Sequence, residues 1–118
     1  MSPSEPRFVR ERIGLAELEV LASARFGDMV KAVVDVARDI AVFGGELHSD
    51  EEALLLQDGS RQQDLWGINV YPGETGDDWI EFDSMINVRP SVNNRSRGVE
   101  DEATRAAILR VVNRLVQR

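Results

Sequence analysis

Hydrophobic residues recur along this chain at two spacings, one typical of helices and one typical of strands. Leucines at helical spacing predict a helix over Leu15–Phe26, with Gly27 ending it. Met29–Phe43 is apolar except at four positions, which favours a second helix that packs on more than one side. A third helix is predicted over Asp101–Gln117, where apolar residues again recur at helical spacing.

Two other stretches show the alternation of strands. Leu65–Tyr71 and Trp79–Arg89 place apolar residues on one face and polar residues on the other, and Pro90 ends the second strand. Glu46–Gln57 fits either a strand or a helix. We favour a strand with a bulge at its acidic residues, because another strand follows closely, although the Ser-Asp-Glu-Glu within it also resembles a helical capping box.

These elements give an α+β fold with the order α-α-β-β-β-α. Short connections predict an antiparallel three-stranded meander, and the helices are expected to pack on its apolar face. The second face of the sheet is then polar and open to ligands. Its polar side chains are Asn69, Tyr71, Glu81, Asp83, Asn87 and Arg89.

Length and composition narrow the class of protein. A chain of 118 residues fits one domain. We predict a flexible segment over residues 1–12, in which Phe8 and Val9 favour a short edge strand, and a single domain over residues 13–118. The absence of cysteine excludes disulfides and thiolate zinc sites. Without a membrane-length apolar run or a signal peptide, we expect a cytoplasmic protein that has no membrane partner.

Charge is distributed unevenly along the chain, whose net charge is −7. Residues 44–83 contain 11 acidic and one basic residue, whereas residues 84–118 contain three acidic and seven basic residues. The overall acidity argues against broad nucleic-acid binding. The basic C-terminal third still allows a local site for a small anion.

The loop Ser91–Gly98 is the best candidate for such a site. It is rich in Ser, Asn and Arg and enters a helix at Glu100 or Asp101, the candidate N-caps. Arginines and the N–H groups of a helix N-terminus bind anions, so we predict a phosphate- or carboxylate-bearing ligand, or a protein partner, at this loop and the polar face. The candidate ligand-binding residues are Asn69, Tyr71, Asn87, Arg89, Asn93, Asn94, Arg95 and Arg97. Alternatively, the arginines pair with the chain's own acids, and the acids at residues 100–102 compete for the helix end.

The only histidine, His48, stands among carboxylates. If Glu46–Gln57 is a strand, Glu46 and His48 share a face that adjoins Asp83. That set suits Mg²⁺ or Mn²⁺, so a metal-dependent phosphoester hydrolase is a second hypothesis, with His48 and Asp83 as catalytic candidates and Glu46, His48 and Asp83 as metal-ligand candidates. A solvated acidic strand explains the same residues without a metal. A homodimeric interaction module that uses the polar face or a free strand edge is a third hypothesis.

Four segments of the chain resemble one family of small bacterial proteins that is classified as a domain of unknown function. They are GDMVKAVVD (Gly27–Asp35), GELHSDEEALLL (Gly45–Leu56), LWGINVYP (Leu65–Pro72) and EFDSMINVRPSVNNRSRGVED (Glu81–Asp101). The resemblance implies a stand-alone single-domain protein. It implies no activity, cofactor or catalytic residue, so the resemblance does not decide between an enzyme and a binding protein.

Overall fold

In the computed structural model, residues 5–118 form a five-stranded antiparallel sheet with helices on both faces. The helices are α1 (Leu15–Arg25), α2 (His48–Gln57) and α3 (Glu102–Leu115). The strands are β1 (Arg7–Val9), β2 (Ile13–Gly14), β3 (Val30–Asp35), β4 (Ile40–Phe43), β5 (Leu65–Val70), β6 (Ile80–Glu81) and β7 (Val116–Gln117). The sheet has the order β1-β4-β3-β5-β6, while β2 and β7 form a separate parallel pair.

The α+β class and several elements are confirmed. Helix α1 and strand β5 match their predicted stretches, and β1 is the edge strand expected at Phe8 and Val9. Helix α3 begins as expected after Asp101, whose carboxylate accepts a hydrogen bond from the Thr104 N–H at 2.9 Å. Residues 1–4 of the predicted flexible segment lie outside the described residues.

The helix predicted over Met29–Phe43 is wrong, because this stretch is the β3–β4 hairpin. Both faces of these strands are covered, so their apolar residues run on without the alternation that marks a half-exposed strand. Asp35 organises the turn by accepting the N–H groups of Ala37 and Arg38, both at 2.9 Å. Asp39 adopts the left-handed conformation at φ 61°, which lets the chain reverse direction.

The strand predicted over Glu46–Gln57 is also wrong, because residues 48–57 form α2. The capping-box alternative was nearer the structure, since a first-turn acid does bond back to the preceding backbone: Glu51 accepts the Gly45 N–H at 2.9 Å. Helix α2 packs on β3 and β4 through His48, Glu51 and Leu55. It therefore lies on the sheet face that was predicted to be open.

The long strand predicted over Trp79–Arg89 is wrong beyond its first residues. Only β6 pairs with β5, and the chain then turns into a 3₁₀ turn at Met85–Asn87. The turn crosses β5 at Gly67, where an added Cβ would lie 2.6 Å from the Ser84 side chain. Glycine is needed there because it leaves room for the loop to lie directly on the strand.

The core consequently has two parts, one on each side of the sheet. The larger cluster packs α1 and α3 against one face, around residues such as Leu18, Phe43 and Ile108. The smaller cluster packs α2 and the loop after β6 against the other face, around Leu55 and Leu65. The predicted three-stranded meander with one open polar face is therefore replaced by five strands that are covered on both sides.

Candidate functional site

Asn87, one of the predicted ligand-binding residues, is an internal brace of the loop. Its side chain is 0% exposed. Its Oδ1 accepts the Gly67 N–H at 2.8 Å, and its Nδ2 donates to the Gly67 carbonyl at 2.9 Å and to the Arg97 carbonyl at 3.0 Å. A side-chain amide thus pairs with β5 much as another strand would, which satisfies a backbone that is buried beneath the loop.

Asn94 holds the other half of the loop in the same way. Its Nδ2 donates to the carbonyls of Asn87, Ser96 and Gly98, and its Oδ1 accepts the Glu100 N–H at 2.9 Å. The side chain is 3% exposed. Its hydrogen-bonding capacity is directed at the chain itself, which stabilises an irregular segment that has no strand or helix ladder of its own.

Arg89 has a similar structural position. Its guanidinium stacks on the Trp66 ring, with Cζ 4.4 Å from the ring centroid, and donates to the carbonyls of Gln62 and Leu65. Burial lowers the pKa of Arg89 from its ordinary value. These contacts join the loop to the start of β5.

The anion-binding backbone predicted in this loop is already occupied. One carboxylate oxygen of Glu100 accepts the N–H groups of both Arg95 and Ser96 at 2.8 Å, and these bonds lower the pKa of Glu100. Arg97 pairs with Asp83 at 2.6 Å. The alternative in which the loop's positive groups meet the chain's own acids describes these contacts, and Arg95 and Asn93 lie exposed beside them.

Tyr71 lies at a different place, beside the C-terminal end of α1. Its hydroxyl donates to Glu81 at 3.2 Å, and burial together with Glu81 raises its pKa. With Glu19, Asp28 and Glu74 it lines a cavity of about 220 Å³. The carboxylates around this cavity disfavour an anion there.

A second polar cluster forms where α2 begins, and it includes residues that the sequence analysis placed apart. Lys31, Asn69 and Glu81 lie side by side on β3, β5 and β6, in register. The Asn69 Nδ2 donates to Glu81 at 2.8 Å, whereas its buried Oδ1 has no hydrogen-bond partner within residues 5–118.

His48 is the first residue of α2 and is nearly buried beside this row. Its Nε2 lies 2.8 Å from the Ile68 carbonyl and so carries the hydrogen of this bond. Burial lowers the pKa of His48, the Ile68 bond opposes this, and among charged groups Lys31 and Arg97 lower the pKa while Asp83 raises it. We call Lys31, His48, Asn69 and Arg97 the Lys31–His48 site.

The chain matches the family described as "Protein of unknown function (DUF5674)" over residues 7–115. It belongs to this family. The match runs from the first residue of β1 to the last residue of α3, and the predicted membership of a family of unknown function is confirmed. No curated protein and no solved structure matches the chain.

The metal-ligand candidates of this DUF5674 chain do not come together. Glu46 is exposed and lies 3.8 Å from Arg25, His48 is committed to Ile68, and Asp83 is paired with Arg97. Within residues 5–118, no three His, Cys, Asp or Glu side chains are grouped so that they hold a metal ion. The predicted strand that was expected to align Glu46 and His48 is instead helix α2. His48 faces the sheet from this helix, whereas Glu46 precedes the helix and is exposed.

Sequence reasoning missed the roles of two residues near this site. Lys31 was assigned to the polar side of a helix, and Glu51 was placed only within the predicted strand bulge. Glu51 is in fact 0% exposed, and burial raises its pKa well above the ordinary value. One signal was present in the sequence: Lys31 is the only lysine and stands inside an otherwise apolar stretch.

No helix formed by the described residues is long and apolar enough to span a bilayer.

Proposed function

We propose that this DUF5674 domain binds a small phosphate- or carboxylate-bearing ligand at the Lys31–His48 site. The observation that supports the proposal is the state of Lys31. Its side chain is partly buried, its ammonium lies 5.4 Å from the Phe26 ring centroid, and it makes no ion pair with a carboxylate within the described chain. The Phe26 ring is then the partner that the structure shows for this partly buried ammonium, and an anionic ligand would supply the counter-ion.

The surroundings of Lys31 favour an anion over a cation. Helix α2 starts here, and its N-cap residue, Leu47, provides no side-chain hydrogen bond to the first N–H groups. Arg97 lies within electrostatic range of His48, but its charge is paired with Asp83, so the positive charge left for an anion comes from Lys31 and from His48 when it is protonated. Glu81, which is in register with Asn69, and Asp50 in the first turn of α2 oppose the anion, but both are exposed to solvent, where their fields are screened.

The proposal retains the predicted ligand class and moves the site. Of the eight predicted ligand-binding residues, Asn69 and Arg97 belong to the Lys31–His48 site. The buried braces Asn87 and Asn94 direct their side chains into the loop, and we assign them no ligand contact. The Asn69 Oδ1, which lacks a partner, favours a ligand that carries a hydroxyl or amine donor besides its acidic group.

The test follows the single histidine by NMR while sulfate or inorganic phosphate is added. An anion bound next to His48 stabilises the imidazolium, so we expect its pKa to rise and the melting temperature to increase with ligand concentration. Lys31→Met should weaken both responses by about tenfold or more in ligand concentration, an effect of about 1.4 kcal/mol. Arg61→Met removes one exposed positive charge elsewhere and is the matched control. Equal responses in the two variants, or none in the wild type, would refute the proposal.

A second candidate is a homodimeric interaction module, and exposed apolar side chains favour it. Leu47 is 52% exposed at the start of α2, and Met85 is 65% exposed on the 3₁₀ turn that packs against that helix. Light scattering should then report a dimer that Met85→Asp dissociates. Val20→Asp, at a 57% exposed position on α1, is the control and should leave the dimer intact. A wild-type monomer at high concentration rules the module out.

A further inference from the structure

Glu51 is a buried carboxyl group that the proposed anion site does not yet explain. It belongs to α2, one turn after His48, and is 0% exposed. Its Oε2 accepts the Gly45 N–H at 2.9 Å, while its Oε1 is buried without a hydrogen-bond partner among the described residues. A buried ionised carboxylate with one bond is expensive, whereas a neutral acid is tolerated.

Glu51 packs closely against the backbone at Gly45, in the connection between β4 and α2. A Cβ added at Gly45 would lie 2.7 Å from the Glu51 Cγ. The connection from β4 to α2 is therefore closed directly over the side chain, and this contact fixes the first turn of α2 relative to the sheet. Glu51 thereby sets the position of the helix end that borders the Lys31–His48 site.

Charged groups reach Glu51 from three elements. Lys31 approaches from β3 and Arg25 from α1, and both favour the ionised form; Asp50, on α2 itself, disfavours it. Burial outweighs all of these and raises the pKa of Glu51 well above its ordinary value. His48, on the same face of α2, is buried mainly in its neutral form because burial lowers its pKa.

We propose that Glu51 is a positioning residue that couples anion binding at Lys31 to the uptake of one proton. With Glu51 neutral, Lys31 is available to an anion and the first turn of α2 is held in place. When Glu51 ionises, its charge attracts the Lys31 ammonium and repels the ligand. The site therefore binds its anion more tightly at low pH and releases it as the pH rises. This inference rests on the proposed function.

The experiment measures sulfate affinity by calorimetry between pH 5 and 9, where the charge of sulfate is constant. The wild type should lose affinity by up to about tenfold per pH unit over the range in which Glu51 ionises, the slope of a one-proton linkage. Glu51→Gln keeps an acceptor for the Gly45 N–H and cannot ionise, so it should keep only the pH dependence that His48 contributes at the acidic end of this range. Asp50→Asn, which also removes one acid from the first turn of α2, should retain the wild-type slope.

Parallel pH profiles for the wild type and Glu51→Gln would overturn this inference and leave the anion site standing. Absence of sulfate binding in both proteins at every pH would instead overturn the proposed function itself. Buffers with different ionisation enthalpies provide an independent readout of the proton. Over the range in which Glu51 ionises, the wild type should take up as much as one proton more per sulfate than Glu51→Gln does.

Discussion

Replacing Asn87 with alanine tests whether the loop after β6 is held together by its own polar side chains. The substitution removes three hydrogen bonds at once, two to Gly67 and one to Arg97. The Gly67 N–H and C=O lie under the loop, and each buried group left without a partner costs about 1–3 kcal/mol. The expected loss is therefore about 3–5 kcal/mol, a large share of the roughly 5–15 kcal/mol that stabilises a typical domain.

Urea unfolding followed by tryptophan fluorescence measures this loss, because Trp66 packs against the same loop through Arg89. Asn113→Ala, on the exposed side of α3, removes the same side chain where it has no such partners and should change stability by less than about 0.5 kcal/mol. If Asn87→Ala costs less than about 1 kcal/mol, a threshold set by one ordinary hydrogen bond, the bracing role is wrong. The predicted role of Asn87 in ligand binding would then be favoured over the bracing role.

Three further changes test other parts of the fold. Gly67→Ala should destabilise by roughly 1–3 kcal/mol in urea, because the new methyl would meet Ser84 at 2.6 Å; an unchanged midpoint would mean that the loop moves aside. Leu55→Ala should cost roughly 2–5 kcal/mol, since Leu55 is the α2 residue at the centre of the smaller core, and a smaller loss would mean that α2 is weakly docked. The pKa of His48, read by NMR, should lie below 6.5, and the wild type should lose stability relative to His48→Gln as pH falls below 6.5, because the unfolded chain takes up the proton first. A His48 pKa above 6.5 would contradict its burial.

The elements that the sequence predicted correctly carry a clear period of their own. Helices α1 and α3 each bury one face and have end signals such as Gly27, with its φ of 93°, and the Asp101 cap. Strand β5 is buried on both faces, but Gly67 and Asn69 on one of them preserve the alternation of a strand. These signals are local, so they can be interpreted without knowing what packs on the element. The anion-compatible chemistry of the Arg/Asn loop could also be recognised, although its donors proved to be used internally.

The errors at the β3–β4 hairpin and at α2 share one physical cause, which is that burial removes the expected hydrophobic period. The β3–β4 hairpin has sheet neighbours at both edges and helices over both faces, so its valines look like those of a buried helix. Helix α2 turns His48 and Glu51 inward and leaves leucines outside, so its sequence lacks a clean apolar stripe. Neither pattern contains the period that would reveal its secondary structure.

The sequence by itself therefore determined the α+β class, the family, the ends of three elements and the kinds of polar side chain available. Only the tertiary structure decided which of those side chains remain free. The side chains of Asn87 and Asn94 donate hydrogen bonds to backbone carbonyls because the chain leaves the sheet after β6. Lys31 remains a partly buried cation because α2, rather than a strand, covers its face of the sheet. Hydrogen-bond partners and counter-ions come from residues distant in the chain, and local sequence carries no record of them.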